Sequence, residues 1–304
     1  KAGVLAKPKW AWQATGVVKI RKLIIPALFG VSVTQINLLL DTVIASVLVT
    51  GSISWLYYAD RLLEFPLGLF GIGIATVILP SLSSLHVRKN NDEFNATIDW
   101  AVKVISLLGL PALAGLMVLA QPIIMVLFMR GEFNDHDVTQ VSYALFAYLS
   151  GLMSFMMIKV LAPGYYSRHD TKTPVKIGIK AMIANMVFNL MLAPFFGYVG
   201  LALATSMSAT LNAFLLYRGL KAENVYRLST KTLWFIARLI VSALLMSIVV
   251  YYLSPSFERW LTLSFIEQIT QLVICILLGG LSYFIAIFIL GIRLSDFKVQ
   301  KSTS

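Results

Sequence analysis

The chain has 304 residues, of which 58% are hydrophobic and only 13% charged, with a mean hydropathy of +0.81. Soluble domains run about 45–50% apolar and about 25% charged, so this composition excludes an ordinary soluble domain, a disordered segment, a coiled coil and collagen. Twenty-five Lys and Arg against fourteen Asp and Glu give +11; in an apolar chain that excess points to basic loops on one side of a membrane rather than to nucleic acid.

A helix needs about 20 apolar residues to cross the hydrocarbon core. Eight runs meet that test, at roughly 23–50, 55–85, 100–128, 138–163, 174–195, 200–220, 232–253 and 269–292, and alternating strands of barrel type are missing. The expected fold is an all-α polytopic membrane protein of eight spans. Residues 1–22 form a basic lead-in with Trp10 and Trp12, suited to a membrane surface, and the chain reads as entering a bundle partway through. Eighteen Lys and Arg fall in the connections 1–22, 88–89, 168–176, 218–231 and 293–301, whereas the intervening loops hold only Arg130 and Arg259. That asymmetry predicts both termini on the cytoplasmic side.

The second run opens with Trp55, Tyr57 and Tyr58, expected in the interfacial belt, followed by Asp60, Arg61 and Glu64. Arg61 and Glu64 are three apart on one helical face and are expected to pair. Three ionisable groups so close together on an apolar helix must face one another or a wet cavity, and a guanidinium held by a carboxylate suits bidentate phosphate recognition; the competing reading is a structural salt bridge between helices. Pro66 is a bending point, as are Pro26, Pro111 and Pro194. Gly68, Gly71 and Gly73 read as sites of close helix approach, not as a nucleotide loop. Lys103, Lys180, Arg238 and Lys159 lie near cytoplasmic helix ends and can snorkel, with cavity lining the competing reading for Lys159.

Asp41 is the one charge of the first run. Asn185 and Asn189, four apart on the fifth, and Thr205 on the sixth add oxygen ligands of the kind a sodium or proton-coupled site uses; interhelical hydrogen bonding is the competing reading. His86, His136 and His169 fall on opposite sides and do not suggest a metal site. Asp135-His136-Asp137 reads as a helix start. The single cysteine, Cys275, lies inside an apolar run.

The segments Trp55–Gly68, Leu79–Ser83, Leu127–Phe133 and above all Lys159–Lys176 resemble the bacterial lipid II flippases of the MurJ family, within the multidrug/oligosaccharidyl-lipid/polysaccharide exporter superfamily. The resemblance implies a six-helix C-terminal lobe at 23–220, a cytoplasmic linker at 221–231 and two further helices at 232–304 that form a lipid-tail groove, the N-terminal six-helix lobe lying outside this sequence. It implies translocation of an undecaprenyl-pyrophosphate-linked peptidoglycan precursor across the bacterial inner membrane, with no bond made or broken and membrane lipids as surroundings. On this view Arg61, Glu64, Asp60 and Lys159 bind substrate, and Asp41, Asn185, Asn189 and Thr205 fall near positions that hold sodium in some members, Asn189 supplying an amide oxygen where such a site can have a second carboxylate; no other cofactor is implied. An exporter of another lipid-linked oligosaccharide or of drugs is the alternative within the same fold, discriminated by the sign of the cavity. A membrane enzyme acting on polyprenyl phosphates would need its carboxylates or histidines clustered at one face.

Overall fold

The computed structural model describes residues 13–15, 17, 18, 35, 36, 38–293 and 296. Every regular element among them is helical. In chain order these are α1 (38–46), α2 (Ser52–Pro66), a π-helical stretch (Leu67–Ile72), α3 (Gly73–Val87), α4 (Asn91–Val118), α5 (Ala120–Phe128), α6 (Asp135–Leu149), α7 (Leu152–Tyr166), α8 (Lys172–Ala222), α9 (Thr230–Leu253), α10 (Phe257–Thr262) and α11 (Phe265–Ile289). Five of the continuous helical runs are long and apolar enough to cross a membrane, and α6 with α7 makes a sixth, bent by 41°. Residues 23–34 and 37 of the expected run 23–50 fall outside the described residues, Pro26 among them, as do the lead-in tryptophans Trp10 and Trp12.

The helices begin where side chains can satisfy their first N–H groups. Asn90 accepts from Glu93 N ahead of α4, and Ser229 does the same for α9. Asn134 with Asp137 and Ser264 with Glu267 form capping boxes at α6 and α11. The Asp135-His136-Asp137 segment is therefore a helix start, as its acidic residues indicated.

Two interruptions depart from uniform helix. Pro66 has no N–H to donate, and the ladder re-forms as a π-helical turn over Leu67–Ile72. Its Gly71 lets the neighbouring helix approach: a Cβ there would lie 3.3 Å from Lys159 Cγ, whereas Gly68 and Gly73 face open space. The expected run 100–128 is in fact two helices, broken at Leu119, because Pro122 favours the first turn of a new helix over the interior of an old one.

The 51 residues of α8 are too many for one crossing. Gly197, at φ 58° and ψ −137°, adopts a backbone that side chains resist. Asn185 Nδ2 lies 3.3 Å from Thr205 Oγ1, although 20 residues of straight helix would separate them by about 30 Å. The chain therefore reverses at Gly197 into two antiparallel arms. Gly200 permits the reversal, since a Cβ on it would come within 2.6 Å of the Leu192 carbonyl oxygen.

The second arm seats against α6 and α7. Ser206 Oγ reaches the Ala147 and Tyr148 carbonyls at 2.7 and 3.1 Å, next to Gly151, where the α6–α7 bend leaves no room for a side chain. Ser154 and Thr210 hydroxyls meet at 3.0 Å, and Tyr165 OH donates to Leu216 O. Further along the chain, α9 packs on α4 and α11 on α9. Gly279 makes that last contact close, meeting Val250, while Gly280 faces open space. Large apolar side chains such as Phe195 and Phe288 point outward, as a lipid-facing surface requires.

Candidate functional site

Three groupings of polar side chains interrupt this apolar architecture. The first is on α2. Arg61 Nη1 donates to Glu64 Oε2 at 2.6 Å, and the guanidinium carbon stands 4.9 Å from the centre of the Tyr57 ring. The expected i,i+3 pair is present, and both side chains are 51% exposed on an open face of the helix. An exposed pair of this kind contributes at most about 1 kcal/mol to stability. Helix packing thus leaves the guanidinium accessible, its orientation held by a carboxylate and an aromatic ring. Asp60, one turn before Glu64 and within electrostatic reach of both Glu64 and Arg61, is half-buried, and Tyr148 lies within electrostatic reach of both Asp60 and Asp41.

Lys159 reaches the same helix by another route. From α7 its aliphatic stem crosses the π-helical turn at Gly71, and the residue remains exposed. Ten residues separate Gly71 from Arg61, so the two cations are anchored about 15 Å apart along the helix. The structure does not bring them together at one point.

Trp55 corrects the belt expectation. It is buried, donates from Nε1 to Asp137 Oδ1 at 2.8 Å and packs 5.0 Å from Tyr198, whose hydroxyl donates to Gln140. It fastens α2 to α6 and α8, while Tyr57 is the exposed member of the aromatic trio.

The second grouping joins α1 to both arms of α8, and it gathers all four residues singled out as oxygen ligands. Asn189 Nδ2 donates to Asp41 Oδ1 at 2.6 Å and to Asn185 Oδ1 at 3.0 Å, and Asn185 Nδ2 donates to Thr205 Oγ1 at 3.3 Å. Asn185 and Asn189 are fully buried, and Asn189 Oδ1 has no hydrogen-bond partner. A buried acceptor without a partner is uncommon.

The third grouping was not anticipated. Asp99, near the start of α4, accepts from Thr232 Oγ1 at 2.5 Å and from Tyr226 OH at 3.3 Å, and pairs with Lys103 Nζ at 3.3 Å. Lys103 is therefore a mostly buried partner of Asp99 rather than a snorkelling chain end. Burial first, and the adjacent Asp99 charge second, raise the pKa of the Tyr226 hydroxyl and keep it protonated as a donor. The only sequence signal was the i,i+4 spacing of Asp99 and Lys103. Nearby, Arg168 Nη1 pairs with Glu223 Oε2 at 2.6 Å, tying the α7–α8 connection to the end of α8.

Comparison with known proteins assigns this architecture. The family model for the lipid II flippase MurJ matches residues 1–271. The chain is 59% identical to the probable lipid II flippase MurJ of Vibrio cholerae serotype O1, over 98% of this chain and 57% of that protein. It is 36% identical to the lipid II flippase MurJ of Burkholderia cenocepacia, over 96% of this chain and 57% of that protein. A solved structure of lipid II flippase MurJ, in an inward closed conformation, superposes with a TM-score of 0.75 at 28% identity, covering 94% of this chain and 57% of that one. The chain thus spans a little over half the length of the curated relatives it matches, and it belongs to the MurJ family of lipid II flippases.

Proposed function

We propose that this chain supplies one wall of a lipid II flippase in the bacterial inner membrane. Its part is to offer Arg61 to the substrate's diphosphate while the headgroup passes between leaflets. The observation that carries this reading is the exposed Arg61–Glu64–Tyr57 arrangement on an otherwise apolar helix. A diphosphate cannot cross about 30 Å of hydrocarbon unassisted. A guanidinium oriented by a neighbouring carboxylate provides a planar donor fork that matches phosphate oxygens. Lys159, about 15 Å along the same wall, offers a second, more flexible cation, and Asp60 supports the site from the half-buried side. The transport step breaks no bond, so the protein needs no acid, base or nucleophile.

The two arms of α8 count as separate crossings in this reading, which with α2–α3, α4–α5, α6–α7, α9 and α11 gives seven; the run 23–50 makes eight. Residues 23–220 then form the six-helix lobe, 221–231 the linker, and 232–304 the additional pair with its tail. A further six-helix lobe, supplied by sequence outside this chain, would complete the cavity. The loop charges put the α3–α4 turn inside and the α5–α6 loop outside.

The Asp41, Asn185, Asn189 and Thr205 cluster suits sodium: one carboxylate, two amide oxygens and a hydroxyl are hard donors, and the partnerless Asn189 Oδ1 is an acceptor that a cation would satisfy. Sodium bound there would hold α1 against the α8 hairpin and bias the opening equilibrium by its differential affinity for the two states. Thermal stabilisation by sodium over potassium, lost in Asp41→Asn, is the expected outcome; stabilisation unchanged by that substitution contradicts the assignment.

The test of substrate binding is growth of cells depleted of their own flippase. Arg61→Ala in the full-length protein should fail to support growth at normal membrane levels, and Arg61→Lys should rescue poorly. Full growth with alanine would leave the residue a structural one.

A further inference from the structure

A cavity of about 450 Å³ lies at the end of the molecule remote from Asp99, between the α4–α5 break and the α9–α10 corner. From Asp99 to Val118 at its rim is about 29 Å of helix. The volume falls within the range of roughly 300–1,000 Å³ usual for small-molecule sites. We propose that this cavity binds a neutral carbohydrate headgroup at the outer membrane interface.

Two features of the lining support this ligand class. The first is the absence of charge. The polar side chains facing the space are Gln121, Tyr251, Tyr252, Ser254 and Ser256, and none of the lining residues is Asp, Glu, Lys or Arg. Amides and hydroxyls each donate and accept, the same dual capacity that sugar hydroxyls have. A diphosphate would find no cation here and an ammonium group no carboxylate, so both are disfavoured as occupants. The second feature is aromatic. Tyr251 and Tyr252 line the space, 71% and 82% exposed, as an edge-to-face pair with ring centroids 5.8 Å apart, and exposed aromatic rings suit the apolar side of a sugar ring.

The back wall is fixed. Trp260 is fully buried, donates from Nε1 to Ser254 Oγ at 3.2 Å, and its carbonyl accepts from Gln268 Nε2 at 3.0 Å. Gln121 is half-buried, and among the described residues no side chain or backbone group satisfies its amide. The break at Leu119 that turns Gln121 toward the space is the same one that separates α4 from α5. The inference is independent of Arg61, and its outer placement rests on the loop-charge orientation of the proposed reading.

The test is ligand-observed saturation-transfer NMR on the full-length protein in amphipol, which carries no sugar, with N,N′-diacetylchitobiose as probe. Saturation transfer to the disaccharide is expected, with affinity reduced about tenfold by Gln121→Leu and by Tyr252→Ala. Both substitutions alter side chains that reach the open space, and unfolding temperatures should stay unchanged. Arg61→Ala should leave the signal intact. Absence of transfer, transfer insensitive to both cavity variants, transfer lost in Arg61→Ala, or occupancy by dihexanoylphosphatidylethanolamine but not by the disaccharide would each overturn the proposal.

Discussion

Removal of the Asp99 carboxylate should detach the linker and α9 from the lobe. The magnitude follows from its partners. Thr232 and Tyr226 are at most 1% exposed, so Asp99→Ala leaves two buried donors without acceptors, at about 1–3 kcal/mol each before relaxation. The Lys103–Asp99 pair, with side chains 19% and 16% exposed, lies between the surface and buried limits, and its solvent access restricts its share to about 1 kcal/mol. A total loss of about 3–5 kcal/mol is therefore expected for Asp99→Ala, and about half of that for Asp99→Asn, which keeps one acceptor oxygen. Thermal unfolding of the purified protein measures the global effect, and protease cleavage within residues 223–229 reports local undocking. A double-mutant cycle of Asp99→Ala with Thr232→Val should show coupling of about 1–2 kcal/mol. Strictly additive effects, or an alanine variant within about 0.5 kcal/mol of the parent, would refute the clasp.

Other consequences are equally direct. Gly200→Ala should open the α8 hairpin and lower the unfolding temperature by several degrees, because the new methyl meets backbone rather than a movable side chain; an unchanged melting profile would contradict the reversal at Gly197. The Asp170 carboxyl has a pKa below the ordinary range: partial desolvation raises it, but hydrogen bonds from Thr173 and Lys172 and the nearby Arg168 together outweigh that. Because the folded value is depressed, its support for the start of α8 is present above the unfolded carboxylate pKa and is lost as pH falls through the folded value. Asp170→Asn should flatten that acid limb in a pH series of unfolding temperatures.

The sequence revealed the helices more readily than their interruptions. Hydrocarbon demands long apolar runs, so the crossings announce themselves, and even the α8 hairpin was visible as the gap between 174–195 and 200–220. The break at Leu119 was hidden inside one apolar run, its only local sign being Pro122. Arg61 and Glu64 were legible because helical periodicity alone puts them side by side. Their exposure depends on which neighbours pack against α2, which local spacing does not tell. Asp99 escaped notice for the same reason: its contacts with Tyr226 and Thr232 span 127 and 133 residues. The Asp41 to Asn189 hydrogen bond spans 148 residues, and those positions drew attention through oxygen chemistry and family resemblance rather than spacing.

The most direct test of the central claim is lipid II translocation by the full-length protein in proteoliposomes, read as accessibility of a labelled headgroup to an impermeant reagent. Arg61→Ala should abolish protein-dependent translocation while shifting stability by no more than about 1 kcal/mol, the limit for a pair as exposed as Arg61–Glu64. Translocation at the parental rate by the correctly folded alanine variant would contradict the assignment of this wall to the diphosphate.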